Sequence, residues 1–77
     1  MKKEIILQLA SKLQEVGRVE FEYNSSFYEI FESAENGYMI NIYSSNEKDE
    51  DNEYLYENNF DGGLCTGNAK DAIEFML

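Results

Sequence analysis

The apolar residues change period once, at Gly17, and that change constrains the fold more than any other feature of the chain. Before it, Ile6, Leu9, Ala10, Leu13 and Val16 recur at helical spacing. Lys3, Glu4, Gln8, Ser11, Lys12 and Glu15 lie largely on the other side. This pattern predicts one amphipathic helix from Lys2 to about Val16, with Gly17 as its terminator. After Gly17 the period becomes two. In RVEFEY, residues 18–23, Val19, Phe21 and Tyr23 alternate with Glu20 and Glu22, as in a half-buried strand. FYEIFES and YMINIYS (residues 38–44) continue the alternation, separated by the turn-forming runs NSS and AENG.

The register follows from asking which pairing gathers the apolar residues. With Ser25 and Ser26 as a two-residue loop, and Glu35, Asn36 and a left-handed Gly37 as a three-residue loop, Phe21, Ile30 and Ile42 form one row. Tyr23 and Tyr28 pair beside it. This register puts Glu32 on the core face beside Val19 and Ile40, so Glu32 has to lie at the sheet edge. The opposite face carries Glu20, Glu22, Glu29, Phe31, Met39, Asn41 and Tyr43.

Residues 45–53 read as a flexible loop, YLYENNF (residues 54–60) as a candidate fourth edge strand, and DGGLCTG (residues 61–67) as a tight loop. NAKDAIEFML reads as a closing helix, with Asn68 as N-cap, Asp71 three residues on, and Ala69, Ala72, Ile73 and Met76 as its apolar stripe. The expected class is α+β. An N-terminal helix leads into a three-stranded antiparallel meander with a candidate fourth strand. A C-terminal helix follows, and both helices lie on one face of the sheet. The 77 residues suit a single domain, 1–77. So short a chain buries only about 60% of its unfolded surface, which keeps homodimerisation open.

Composition narrows the chemistry. There is no histidine, which removes the commonest general base and the usual zinc and copper ligands. Cys65 is the single cysteine; no intrachain disulfide is possible, which suits a reducing cytoplasm. With only Lys70 nearby to activate it, Cys65 reads as structural rather than nucleophilic. The acidic run beginning at Asp49 fails as a calcium loop, because its sixth residue is Tyr54 and its twelfth Phe60. GGLCTG lacks the Lys and Ser/Thr of a phosphate-binding loop, having Asn68 and Ala69 in their place. Paired carboxylates would need a cleft that 77 residues hardly build. The expectation is a non-enzymatic protein without cofactor or metal.

Sixteen acids against six bases give a net charge of −10. Such a surface disfavours direct contact with nucleic acid or an anionic membrane and favours a basic partner. The run EKDEDNEYLYEN, residues 47–58, concentrates the effect. Glu47, Asp49, Glu50, Asp51 and Glu53 are the expected electrostatic contacts. Tyr54 and Tyr56 are the expected aromatic anchors, with Glu20, Glu22 and Glu29 on the sheet as further contacts. Regularly spaced charge of this kind can stand in for a nucleic-acid backbone in a basic groove.

On size, charge, the lack of histidine and acid-plus-tyrosine runs such as DEDNEYLYE, the chain resembles the small acidic proteins of phages and mobile elements, anti-CRISPR inhibitors among them. The tail DGGLCTGNAKDAIEFML also looks like the endings of small phage and plasmid proteins. The resemblance implies a job in a bacterial cytoplasm: binding a defence nuclease complex, often in place of DNA. The alternative is an accessory or scaffold protein that homodimerises through Phe31, Met39 and Tyr43 on the outer sheet face.

Overall fold

Gly17 turns the chain from helix to strand. Its φ of 86° is left-handed, its N–H donates to the Leu13 carbonyl at 2.8 Å, and its own carbonyl accepts from the Glu32 amide at 3.0 Å. A side chain at this φ would be strained, which is why glycine ends the helix here. The computed structural model describes every residue from Met1 to Leu77. Its order is α1 (Lys3–Val16), β1 (Arg18–Tyr23), β2 (Ser26–Glu32), β3 (Tyr38–Tyr43), a 3-10 turn (Tyr56–Asn58), β4 (Asn59–Cys65) and α2 (Ala69–Glu74). The four strands form one antiparallel sheet in the order β1-β2-β3-β4, so the chain is α+β.

One face of this sheet holds the core. Val19, Ile30 and Ile40 form one row and Phe21, Tyr28 and Ile42 the next. Ile6, Ala10 and Leu13 from α1, and Ala69, Ala72 and Ile73 from α2, close over them together with Cys65. Leu13, Ile30 and Ile40 are fully buried, each contributing on the order of 2 kcal/mol by leaving water. Val16, expected on the apolar stripe, is instead 65% exposed. The stripe runs Ile6–Ala10–Leu13 and its next position is Gly17, which leaves Val16 about 100° away around the helix.

Both hairpins differ from the expected register by two residues. Asn24 and Ser25, at φ 52° and 65°, make the first turn, and Tyr23 faces Ser26. Two left-handed residues match the twist of a two-residue hairpin, and asparagine tolerates that conformation better than serine does. The second hairpin pairs Glu32 with Tyr38 and closes with the Ser33 amide on the Gly37 carbonyl at 3.0 Å. A slip of two keeps every side chain on its face, so the apolar pattern could not distinguish the two registers. The observed register frees Glu32, which ends β2 in an exposed position. It also stacks Phe21 on Tyr28, with ring centroids 5.0 Å apart, and leaves Tyr23 edge-on to Tyr28 at 6.4 Å.

The fourth strand lies five residues later than expected. It begins at Asn59, and DGGLC is strand rather than loop. Its two glycines reflect close approach. A Cβ at Gly62 would come within 2.8 Å of the Ile40 carbonyl, and one at Gly63 within 3.0 Å of the Phe75 ring. α2 is capped as its sequence predicts. The Asn68 side chain accepts from the Asp71 amide at 2.9 Å, and the Asp71 carboxylate accepts from the Asn68 amide at 3.2 Å. Tyr28 OH, donating to the Met76 carbonyl at 3.3 Å, ties the C-terminal segment to the sheet.

Ser25 occupies a left-handed position with an exposed side chain. Ser25→Gly is therefore expected to stabilise the fold by about 0.5–1 kcal/mol, despite the greater chain entropy of glycine. A chemical-denaturation midpoint that falls on this substitution would contradict the turn assignment.

Candidate functional site: an acidic hairpin braced on the outer sheet face

Pairing across the strands arranges the outer face in three rows. Arg18, Phe31, Met39 and Leu64 form the first, Glu20, Glu29, Asn41 and Gly62 the second, and Glu22, Phe27, Tyr43 and Asn59 the third. The acids here do not all face solvent. Glu29 is only 8% exposed. It accepts hydrogen bonds from Arg18 Nη2, from Tyr43 OH at 3.2 Å and from Asn41 Nδ2 at 3.4 Å. Arg18 Nη2 also donates to Glu20 Oε2 at 2.6 Å, and Lys48 Nζ donates to Glu20 Oε1 at 2.6 Å. Two cations thus tie down two sheet carboxylates.

The electrostatics follow from these contacts. Burial pushes the Glu20 carboxyl up, but the hydrogen bonds from Lys48 and Arg18 outweigh it and hold the group below the ordinary carboxylate range. Lys48 is raised chiefly by its bond to Glu20. Tyr43 is pushed up to about 12, first by burial and then by the neighbouring Glu29 carboxylate, which opposes a second negative charge.

Lys48 belongs to the segment expected to be a flexible loop. The structure folds that segment into a tight hairpin. Lys48 bridges to Tyr54, the Asp49 amide bonds the Glu53 carbonyl at 2.8 Å, and the Leu55 amide bonds the Glu47 carbonyl at 3.3 Å. The turn is closed by the Asn52 amide on the Asp49 carbonyl at 3.0 Å, with Asn52 left-handed at φ 63°. The Asp49 side chain accepts from the amides of Asp51 (2.9 Å) and Glu53 (3.1 Å), so this aspartate builds the turn. The hairpin is anchored by Tyr54, which stacks on Tyr43 with centroids 4.7 Å apart and lies 6.5 Å from Phe27. Lys48 Nζ sits 4.8 Å from the Tyr54 ring centroid while holding Glu20.

The ten residues singled out from sequence therefore separate. Glu47, Asp49, Glu50, Asp51 and Glu53 are brought together on the hairpin, all exposed and none ion-paired. Glu22 is exposed on β1, and Tyr56, 88% exposed, lies just past the hairpin. Glu20 and Glu29 are held within the protein by Arg18 and Lys48, and half-buried Tyr54 is the hairpin's anchor. Sequence reasoning passed over Arg18, Lys48, Asn41 and the anchoring part played by Tyr43. A signal was present: Arg18 stands two residues from Glu20, hence on the same strand face, in a chain with few bases. The other four bases, Lys2, Lys3, Lys12 and Lys70, sit on or beside the helices. The outer side thus carries the uncompensated negative charge.

No three carboxylate or thiolate side chains converge so as to hold a metal ion. Cys65 is buried in the core. No helix is long and apolar enough to cross a membrane. No protein-family model, no curated protein and no solved structure matches the chain.

The raised Tyr43 sets an alkaline limit. Its folded value of about 12 lies above the ordinary tyrosine value near 10, so its contribution to stability is complete below about pH 10 and is lost as pH rises to about 12. Urea midpoints measured from pH 9 to 12 are expected to fall across that window. Tyr43→Phe, which has no phenol to ionise, should lower stability at neutral pH and make the alkaline decline shallower.

Proposed function

We propose that the protein is a non-enzymatic inhibitor that binds a basic, nucleic-acid-binding surface of a defence nuclease complex, presenting its acidic hairpin in place of nucleic acid. One observation carries this reading. The five carboxylates of Glu47, Asp49, Glu50, Asp51 and Glu53 project from a hairpin that is hydrogen-bonded internally and anchored by the Tyr54–Tyr43 stack and the Lys48–Glu20 pair. A solubilising surface needs only charge, whereas here the backbone that carries the charges is pre-formed, with the side chains of Glu47, Glu50, Asp51 and Glu53 free in solvent. A pre-formed backbone loses little freedom on binding, and clustered charge steers a positively charged partner from a distance. Exposed Glu22 and Tyr56 extend the surface. Glu20, Glu29 and Tyr54 contribute by holding the hairpin, not by direct contact. That the partner is a defence nuclease complex rests on the resemblance to small acidic phage proteins; the acidic hairpin itself calls for a groove of Lys and Arg.

Reversal of Glu47, Glu50 and Asp51 to lysine, leaving the turn-building Asp49 intact, is expected to slow association with such a partner by about tenfold or more at low salt while preserving the circular dichroism of the fold. The partner is to be sought by affinity capture from bacterial lysate at low and physiological salt, with and without excess duplex DNA. Capture of a nucleic-acid-binding protein that both salt and DNA release supports the reading. A partner that DNA fails to displace, or association unchanged by charge reversal, overturns it.

A further inference from the structure

The two edges of the sheet differ in charge. β1 alternates Arg18, Glu20 and Glu22 along its outer face, and charged side chains of this kind protect an edge from pairing. β4, NFDGGLC, has one charge in its seven residues and no lysine or proline. Apolar side chains lie exposed around it on both faces of the sheet. Phe60 is 58% and Leu64 42% exposed on the strand, and Phe75, 51% exposed, packs beside Gly63 on the helix side. The apolar row Phe31–Met39–Leu64 also runs across the outer face and stops at this edge. An edge so bare is a template for another strand.

We infer that the chain forms a two-fold dimer in which β4 pairs antiparallel with β4 of a second copy, making one continuous eight-stranded sheet. The sequence of β4 is self-complementary about Gly62. In that register Phe60 faces Leu64 of the copy, and Asp61, the strand's one charge, faces Gly63, so no like charges stand directly opposite; the two Asp61 residues are diagonal neighbours roughly 7–8 Å apart, a modest repulsion that salt screens. The apolar row of one copy then continues through Leu64 into Phe60 of the other. Asp61 Oδ1 now holds the Gly62 amide at 2.8 Å, and it gives up that amide when the strands pair.

Charge placement allows the dimer despite a net −10 on each copy. The acidic hairpin leans toward β1. It holds Glu20 through Lys48, and Asp51, Asn52 and Glu53 share a shallow depression with Arg18 and Glu20. The tip at Asp51–Glu53 is thus three strand spacings, about 14 Å, from the β4 edge, beyond the screening length of about 8 Å at physiological salt, while the hairpin's base is seated on Tyr43, one strand from that edge. The charged β1 edges end up at the two outer sides, so the assembly closes at two copies instead of growing into a filament.

Sedimentation of the full chain over a concentration series up to about 1 mM tests this directly. The expected result is a mass rising to twice 9.0 kDa. The dimer should tighten as salt increases from about 0.1 M to about 1 M, because screening relieves the residual repulsion. Leu64→Lys and Phe60→Lys should each give a monomer with an unchanged circular dichroism spectrum. Met39→Lys, in the same outer row but one strand inward, should still dimerise. Asp61→Ala, which frees the Gly62 amide, should dimerise more tightly, and exchange of that amide in the unaltered chain should slow as concentration rises. A chain monomeric at every concentration overturns the inference. So does a dimer that Met39→Lys dissociates, which would place the contact on the sheet face, and so does a β4 edge that takes up only a strand of a different protein. The amide-exchange result is read on the unaltered chain and stands even if a lysine variant fails to fold.

Discussion

Arg18 is the contact on which the outer half of the molecule depends. It bonds two carboxylates at once, Glu20 on its own strand and Glu29 on the next, and Glu29 is buried. A carboxylate taken from water costs several kcal/mol unless donors surround it. Glu29 has three, from Arg18, Asn41 and Tyr43. Without Arg18 the remaining donors are neutral and the Glu29 charge loses its partner; because the Arg18 side chain is 40% exposed, the loss falls short of the roughly 3–5 kcal/mol of fully buried pairs. With it, Glu20 has a free oxygen for Lys48, Lys48 reaches the Tyr54 ring, and Tyr54 seats on Tyr43. The hairpin is therefore seated by the Tyr54–Tyr43 stack and by Lys48 on a Glu20 carboxylate that the guanidinium at the first residue of β1 holds from its other oxygen.

This dependence also explains what was legible in the sequence. Period and turn chemistry gave both helices, the meander, the faces of its strands and the Asn68–Asp71 cap, because each rests on neighbours close in sequence. The register was two residues off, because apolar alternation repeats every two residues and the choice rested on which of Asn24, Ser25 and Ser26 takes the left-handed positions. β4 was expected five residues too early because its outer and inner faces carry Gly62 and Gly63, which give no alternation; only the packing of Ile40 and Phe75 against them calls for glycine. The acidic hairpin could be located but not shaped. Its turn is built by Asp49, and its seat by Tyr43, eleven residues before Tyr54. Charge counting treated Glu20 and Glu29 as surface, although the two bases in reach of them compensate both.

A mixed outer face thus has a structural origin before any partner is considered. Phe27, Tyr43 and Tyr54 form an aromatic layer beneath the hairpin, and the Glu20–Glu29–Asn41 row is its polar neighbour. What the protein leaves unused is what function has to explain: the hairpin carboxylates on one side and the apolar border of β4 on the other. Apart from the Asp49 carboxylate, which builds the turn, neither is needed by the fold. Each costs something, the first by self-repulsion and the second by exposure to association.

Their separation gives a reason for both. Acids at the β4 edge would oppose pairing there, and apolar groups at the β1 edge would weaken an electrostatic surface by replacing charge. The sheet instead places its bare edge and its charged edge three strands apart, with the apolar row running from one toward the other. Under the proposed reading, pairing through β4 would present two acidic hairpins on one continuous sheet. A partner with an extended basic surface would then meet two sets of clustered charge, the second at a high effective concentration once the first is seated. Salt would act oppositely on the two contacts, loosening the hairpin's hold on a basic groove while tightening β4 on its copy. That opposition is a consequence of the fold, because the same four-stranded sheet keeps the two surfaces apart.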